Sequence, residues 1–373
     1  MASFSKHRAA VRFVSLAMRF AAWLQALPNR MTPPPFRLLQ IGSAFWQSRA
    51  LYVAARLDVA TRLGDKTCSA TEIARLVGAD SDALQRLLRM LASMGVFEQA
   101  GDTFRNNGVS DWMREDRPNN MRAMILMHNS PEMSRPWYEQ LEQGVRKGEV
   151  PFALTHGEEM YRYMDNHPDF DAEFARAMES VDALTGEAFA TDVDWGRFER
   201  LIDVGGSKGF KALAILKHYP KLRALVFDRP NVIEDAHAYW REHDPGIARE
   251  RIRFEAGDMF ESVPAAEGPN EAYLLAGVLH GLSDEECAAV LKNVARAGAA
   301  AGAYVAIMEI VVPSDRPDYL SASFDMQMFM GTRGRERSLA QWSDLLRHSG
   351  LTLVEEVSTR SMVKVLVARP ASD

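Results

Sequence analysis

The chain has 373 residues, 47% of them hydrophobic and 25% charged, enough for a substantial core and two domains. A net charge of −6 argues against a nucleic-acid binder held by phosphate contacts. The two cysteines, Cys68 and Cys287, have neither zinc nor redox spacing, which points to reduced thiols in a cytoplasmic protein.

The first acidic residue is Asp58, whereas Lys6, Arg8, Arg12, Arg19 and Arg30 precede it. Phe13, Met18, Phe20, Trp23 and Leu24 can line one face of a helix. Such a leader, residues 1–35, suits a transit segment or an interfacial helix. It equally suits an arm packed on a partner subunit, which is favoured because the next segment also looks dimeric. No apolar run reaches the ~18–20 residues of a membrane span, so no integral membrane segment is expected.

Thr32-Pro33-Pro34-Pro35 separates the leader from residues 36–115. Phe36–Leu63 carries Ile41, Phe45, Leu51, Val53, Ala54 and Leu57 at helical spacing. Ser69 and Glu72 form a capping-box pattern, opening a helix that stops at Gly78. Asp80 or Ser81 caps a second helix through Leu84, Leu87, Leu88 and Leu91, stopping at Gly95. Val96–Glu98 and Thr103–Arg105 flank a turn at Gly101-Asp102. Helix, helix and wing make a winged-helix module, which raises a DNA-binding regulator as one reading. The would-be recognition helix offers Arg86, Arg89 and one glutamine to base edges, and its leucines suit burial better. No nucleic-acid partner is therefore expected.

Residues 116–190 read as a mostly helical connector. Phe170, Phe174 and Met178 fall at i, i+4 and i+8, one apolar face that serves core packing or a pocket wall.

From Arg200 strands and helices alternate, which implies an α/β fold with a doubly wound parallel sheet over residues 191–373. Leu201–Gly209, LIDVGGSKG, is a strand, a glycine turn and a helix start, a cradle for a nucleotide-like ligand. A dinucleotide fingerprint would need glycines where Ser207 and Phe210 stand. A ribose and adenine without phosphate fit better. A second strand ends at Asp228, where an acid can take ribose hydroxyls. A third closes at Gly257-Asp258-Met259-Phe260, where Asp258 can accept from the adenine amine with Met259 against the ring. Further elements are Glu271–Ala276, a helix from Ser283 to Ala297, and Tyr304–Val312. A helix opened by Ser338 and Gln341 follows, then a closing pair, Leu351–Ser358 and Val363–Arg369. The short turn between that pair requires antiparallel strands.

With these residues assembled, the chain resembles the class I S-adenosylmethionine (SAM) small-molecule O-methyltransferases, the caffeate, acetylserotonin, phenazine and anthracycline group. The resemblance rests on Asp203-Val204-Gly205-Gly206, Gly257-Asp258-Met259-Phe260, the run Val278–Cys287, and Gly334-Arg335-Glu336-Arg337-Ser338, in that order from about Gly42 to Pro370. It implies a Rossmann-like SAM-binding sheet with an antiparallel last strand and an N-terminal winged-helix module that forms a homodimer. It implies SAM as cofactor, S-adenosylhomocysteine as product, and a small-molecule acceptor with an aromatic or polyketide-like hydroxyl. No clustered acids resemble a catechol-type magnesium site, so no metal is expected. Cofactor contacts are implied at Asp203, Gly205, Gly206, Asp228, Asp258, Met259 and Phe260. His280 is implied as general base, flanked by Glu309 and Glu336. Acceptor contacts are implied at Met127, His128, Trp137, Phe174, Met178, Asp325 and Phe329.

A histidine suits the chemistry, because a phenol with a pKa near ~10 is mostly protonated at neutral pH and needs a base near ~6.5. The sequence departs from the family pattern at Ser207, Ala276, Gly281 and Leu282. Some members bind SAM without methylating, which gives a second reading: SAM-assisted hydroxylation, decarboxylation or ring closure.

Overall fold

The computed structural model describes residues 3–243, 246–315 and 318–371. The chain divides into two compact units, Met1–Arg19 with Thr185–Asp373, and Phe20–Leu184.

The first unit is built on a sheet of seven strands. They are β1 (Arg200–Val204), β2 (Arg223–Asp228), β3 (Ile252–Ala256), β4 (Glu271–Ala276), β5 (Tyr304–Glu309), β6 (Leu351–Ser358) and β7 (Lys364–Pro370). Their order is β6-β7-β5-β4-β1-β2-β3. The five from β5 to β3 are parallel. β7 runs antiparallel to both β5 and β6, as the short turn requires. Successive side chains enter opposite faces. Leu201, Ala272, Leu274 and Ala306 fill one core. Ile202, Val204, Tyr273, Leu275 and Ile307 fill the other. Both faces being covered explains why these strands read as nearly unbroken apolar runs. The chain steps outward from β1 to β3 and returns to β4 beside β1. The switch point therefore lies between β1 and β4, where open α/β sheets bind ligands at the strands' carboxyl ends.

One expected strand is divided. Tyr304–Val312 breaks after Glu309, and Val311-Val312 instead pairs in parallel with Arg337-Ser338. The unbroken apolar pattern through position 312 concealed this change of partner. The break sets Glu309 at the tip of β5 and ties the Glu336 segment beside it.

In the second unit, the single helix expected over Phe36–Leu63 is three: Pro34–Gly42, Ala44–Arg56 and Val59–Leu63. Asp58 divides the last two with a left-handed backbone, φ 55°. The capping box at Ser69 and Glu72 forms, and Asp80 caps Ser81–Ser93 by accepting from the Ala83 N–H at 2.9 Å. Leu84, Leu88 and Leu91 are buried with Ile73, Phe97 and Phe104. The wing hairpin is Phe97–Ala100 with Thr103–Asn106, and a short strand, Cys68–Ser69, adds to it.

The leader forms one helix, Arg8–Met31. By length and composition it is long and apolar enough to cross a membrane. Arg12 and Arg19 still interrupt its apolar stretch, so the helix holds no unbroken apolar run of that length.

Candidate active site

Backbone hydrogen bonds join the carboxyl ends of β1, β2 and β3. The Gly205 N–H donates to the Phe227 carbonyl at 2.8 Å, and the Gly257 N–H to the Asp228 carbonyl at 2.9 Å. The Asp228 carboxylate accepts from the Ser207 N–H at 2.8 Å and the Arg229 N–H at 2.7 Å. Gly205 has φ 73°, and a Cβ there would lie 2.8 Å from the Val278 side chain, two residues before His280. The glycine turn and the histidine segment are thus in contact. Gly206 lies against the buried Asp203 carboxylate. Ser207 adopts φ 51°, so the serine takes the backbone conformation that the missing glycine would hold.

At the third tip, Asp258 accepts from the Phe260 N–H at 2.8 Å. Asn293 donates to the Met259 and Phe260 carbonyls, both at 2.9 Å. Met259 packs partly buried on the sheet core, and Phe260 is 43% exposed. These donors and acceptors fit an adenosyl group. The carboxylates of Asp228 and Asp258 keep lone pairs for ribose hydroxyls and an exocyclic amine. Two acids at one strand edge would repel a phosphate.

His280 sits in a short turn, Leu279–Gly281, after β4. One Glu309 carboxylate oxygen fixes that turn. It accepts from the N–H groups of Val278 at 3.1 Å, Leu279 at 2.9 Å and His280 at 3.3 Å. His280 Nδ1 lies 2.9 Å from Glu336 Oε1 and 3.7 Å from Glu309 Oε2. An ionised carboxylate only accepts, so Nδ1 carries the proton of that bond and Nε2 is left for a reacting group. The histidine side chain is 26% exposed, against 2% for Glu309 and 0% for Glu336. Burial opposes a charged imidazole, but Glu309 and Glu336 outweigh it and raise its pKa to about 9. Burial also raises the carboxyl pKa of Glu309. The remaining Glu336 oxygen is buried with no hydrogen-bond partner among the described residues.

Sequence reasoning missed what holds this arrangement. Arg337 is 1% exposed. Its guanidinium donates to Asp284 at 2.8 Å, the Leu279 carbonyl at 3.1 Å and the Leu282 carbonyl at 3.0 Å. It therefore grips the chain on both sides of His280. Gly334 packs against the same turn, since a Cβ there would lie 1.9 Å from the His280 carbonyl oxygen. The alternating charges of Arg335, Glu336 and Arg337 suggest a solvated loop. The absence of a side chain at Gly334 is the signal that something approaches closely.

Asp325 accepts from the Glu336 N–H at 2.9 Å, so this expected acceptor contact holds the Glu336 segment. Phe329 is half-buried nearby in sequence, on the helix Tyr319–Gly331. In the second unit Met127 is fully buried and His128 is exposed. Phe174 and Met178 are half-buried, and half-buried Trp137 lines an open groove with Tyr138, Leu141 and Val145. The ligand atoms of His280, Glu309 and Glu336 lie within 4.8 Å of one another, a set that could hold a metal ion. Here the imidazole–carboxylate hydrogen bond uses two of them.

The O-methyltransferase domain family matches residues 138–352, and the O-methyltransferase dimerisation domain matches residues 39–116. The chain belongs to the O-methyltransferase family. The methyltransferase is 30% identical over 334 residues to a phenazine O-methyltransferase of Lysobacter antibioticus, covering 89% of this chain and 95% of the relative. It is 29% identical to a phenazine-1-carboxylate N-methyltransferase of Pseudomonas aeruginosa, covering 90% and 97%. A calicheamicin-biosynthesis methyltransferase solved with S-adenosylhomocysteine superposes with a TM-score of 0.79 at 28% identity, covering 90% of this chain and 98% of that one. The methyltransferase uses SAM, and its relatives serve secondary metabolism. Its N-terminal helical module matches a dimerisation domain, the role expected for it over that of a DNA-binding regulator.

Proposed function

We propose that the methyltransferase moves the methyl group of SAM to a hydroxyl of an aromatic or polyketide-like small molecule in the cytoplasm, with His280 as general base. The observation that carries this reading is the hydrogen bond from His280 Nδ1 to the buried Glu336. It orients the ring and, when the imidazole is neutral, leaves Nε2 to take the hydroxyl proton as the oxygen attacks.

Bound SAM supplies an electrophilic methyl on a good leaving group. The protein then has to hold the oxygen in line and receive its proton. Positioning of this kind can be worth ~7–11 kcal/mol, against ~10²–10⁴ fold for general-base help. Asp228 and Asp258 hold the adenosyl end, Glu309 fixes the turn that bears the imidazole, and Glu336 steadies the imidazolium after proton transfer. Met127, His128, Trp137, Phe174, Met178 and Phe329 are the residues we assign to the acceptor side, by family likeness.

The test is incubation with methyl-labelled SAM and a panel of phenolic acceptors. Label should pass to at least one phenol, and His280→Ala should slow transfer by roughly 10²–10⁴ fold with SAM binding intact. Tight SAM binding with no labelled product from any phenol would overturn the reading.

A further inference from the structure

We propose that the helix Arg8–Met31 lies flat on an anionic membrane surface, with its apolar face immersed and its arginines against lipid phosphates. At about 100° per residue, Arg8, Arg12, Arg19 and Arg30 fall within an arc of about 40°. Phe13, Leu16, Phe20, Leu24 and Met31 fall within about 80° beside it, whereas Met18, expected on that face, is exposed on the other side of the helix. These apolar side chains are 71%, 66%, 59%, 44% and 82% exposed, and Trp23 between the two stripes is 47% exposed. Of the whole helix, Val11 alone is buried.

Charge selects the occupant. No acid precedes Asp58. Arg8 reaches Glu355 at 3.7 Å, while Arg12, Arg19 and Arg30 form no ion pair among the described residues. A stripe of cations flanking an apolar face suits anionic headgroups over hydrocarbon. A second copy of the helix suits it less, because self-pairing would bring two acid-free arginine stripes together. The dimerisation domain also begins only at residue 39, beyond this helix. Crossing the bilayer would bury Arg12 and Arg19 in hydrocarbon, whereas lying flat lets all four arginines reach the headgroups from one side.

The experiment is co-sedimentation of the full chain with phosphatidylcholine vesicles, with or without phosphatidylglycerol, at low and high salt. Binding should be about tenfold or more stronger to the anionic vesicles and should weaken with salt. Arg12→Glu with Arg19→Glu, and separately Phe13→Ser with Phe20→Ser, should each reduce it about tenfold. Both variants should keep wild-type thermal unfolding, dimer mass and methyl transfer. Equal or absent binding to the two vesicle types would overturn the proposal. So would binding untouched by both variants, or a variant that dissociates the dimer, which would make the helix a subunit arm.

Discussion

At position 280 an imidazole faces two buried carboxylates, and charge balance decides when it can act as a base. With a pKa raised to about 9, the ring of the free protein is protonated at neutral pH. The value of kcat/KM should therefore rise with pH toward about 9, since that profile reports the free enzyme. Glu336→Gln removes a negative charge beside the ring, so the rising limb should move to lower pH while kcat falls. Arg337 opposes the protonated ring. Arg337→Met should therefore move the limb to higher pH. It also strands two buried carbonyls, which costs roughly 1–3 kcal/mol each at most. A pH profile separates the two roles, because a loosened turn alone would lower kcat without moving the limb. The same shift bears on stability. A histidine pKa raised above the ordinary value stabilises the fold below about 6.5, and that contribution is lost as pH rises through about 9.

Among the elements, two turns set the geometry. Gly334 packs against the carbonyl of His280, and Gly334→Ala must displace that turn. Its kcat should fall much further than SAM affinity by calorimetry, because the glycine turn touches the displaced segment at Val278 but is hydrogen-bonded to the tip of β2. Ser207 is the reverse case. Its left-handed backbone carries a strain of roughly 1 kcal/mol that glycine relieves. Ser207→Gly should raise Tm by about 1–2 °C. Local signals were the readable ones at this scale. The capping boxes at Ser69, Ser283 and Ser338 each depend on residues three apart, and all three form. The left-handed break at Asp58 and the change of partner after Glu309 were hidden. Each interrupts an apolar pattern that continues past it. The Arg337 grip joins positions more than fifty residues apart, which no local pattern reports.

For the whole molecule, the alternation from Arg200 and the short final turn were enough to read a parallel sheet with one reversed strand. Apolar periodicity records burial on two faces, and turn length limits strand direction. The acceptor side was not legible, because side-chain shape depends on packing between distant segments. The match to a dimerisation domain over residues 39–116 predicts a particle of about twice the 41.7 kDa chain by light scattering. A monomer at micromolar concentration would contradict it.

The central claim is that the tips of β1, β2 and β3 hold one adenosyl group within reach of His280. A crystal structure with S-adenosylhomocysteine tests it most directly. It should show ribose hydroxyls on Asp228, the adenine edge at Asp258, and the ligand sulfur on the side that His280 Nε2 faces. An adenosyl group seated elsewhere, or an imidazole whose Nε2 points away from the sulfur, would contradict it.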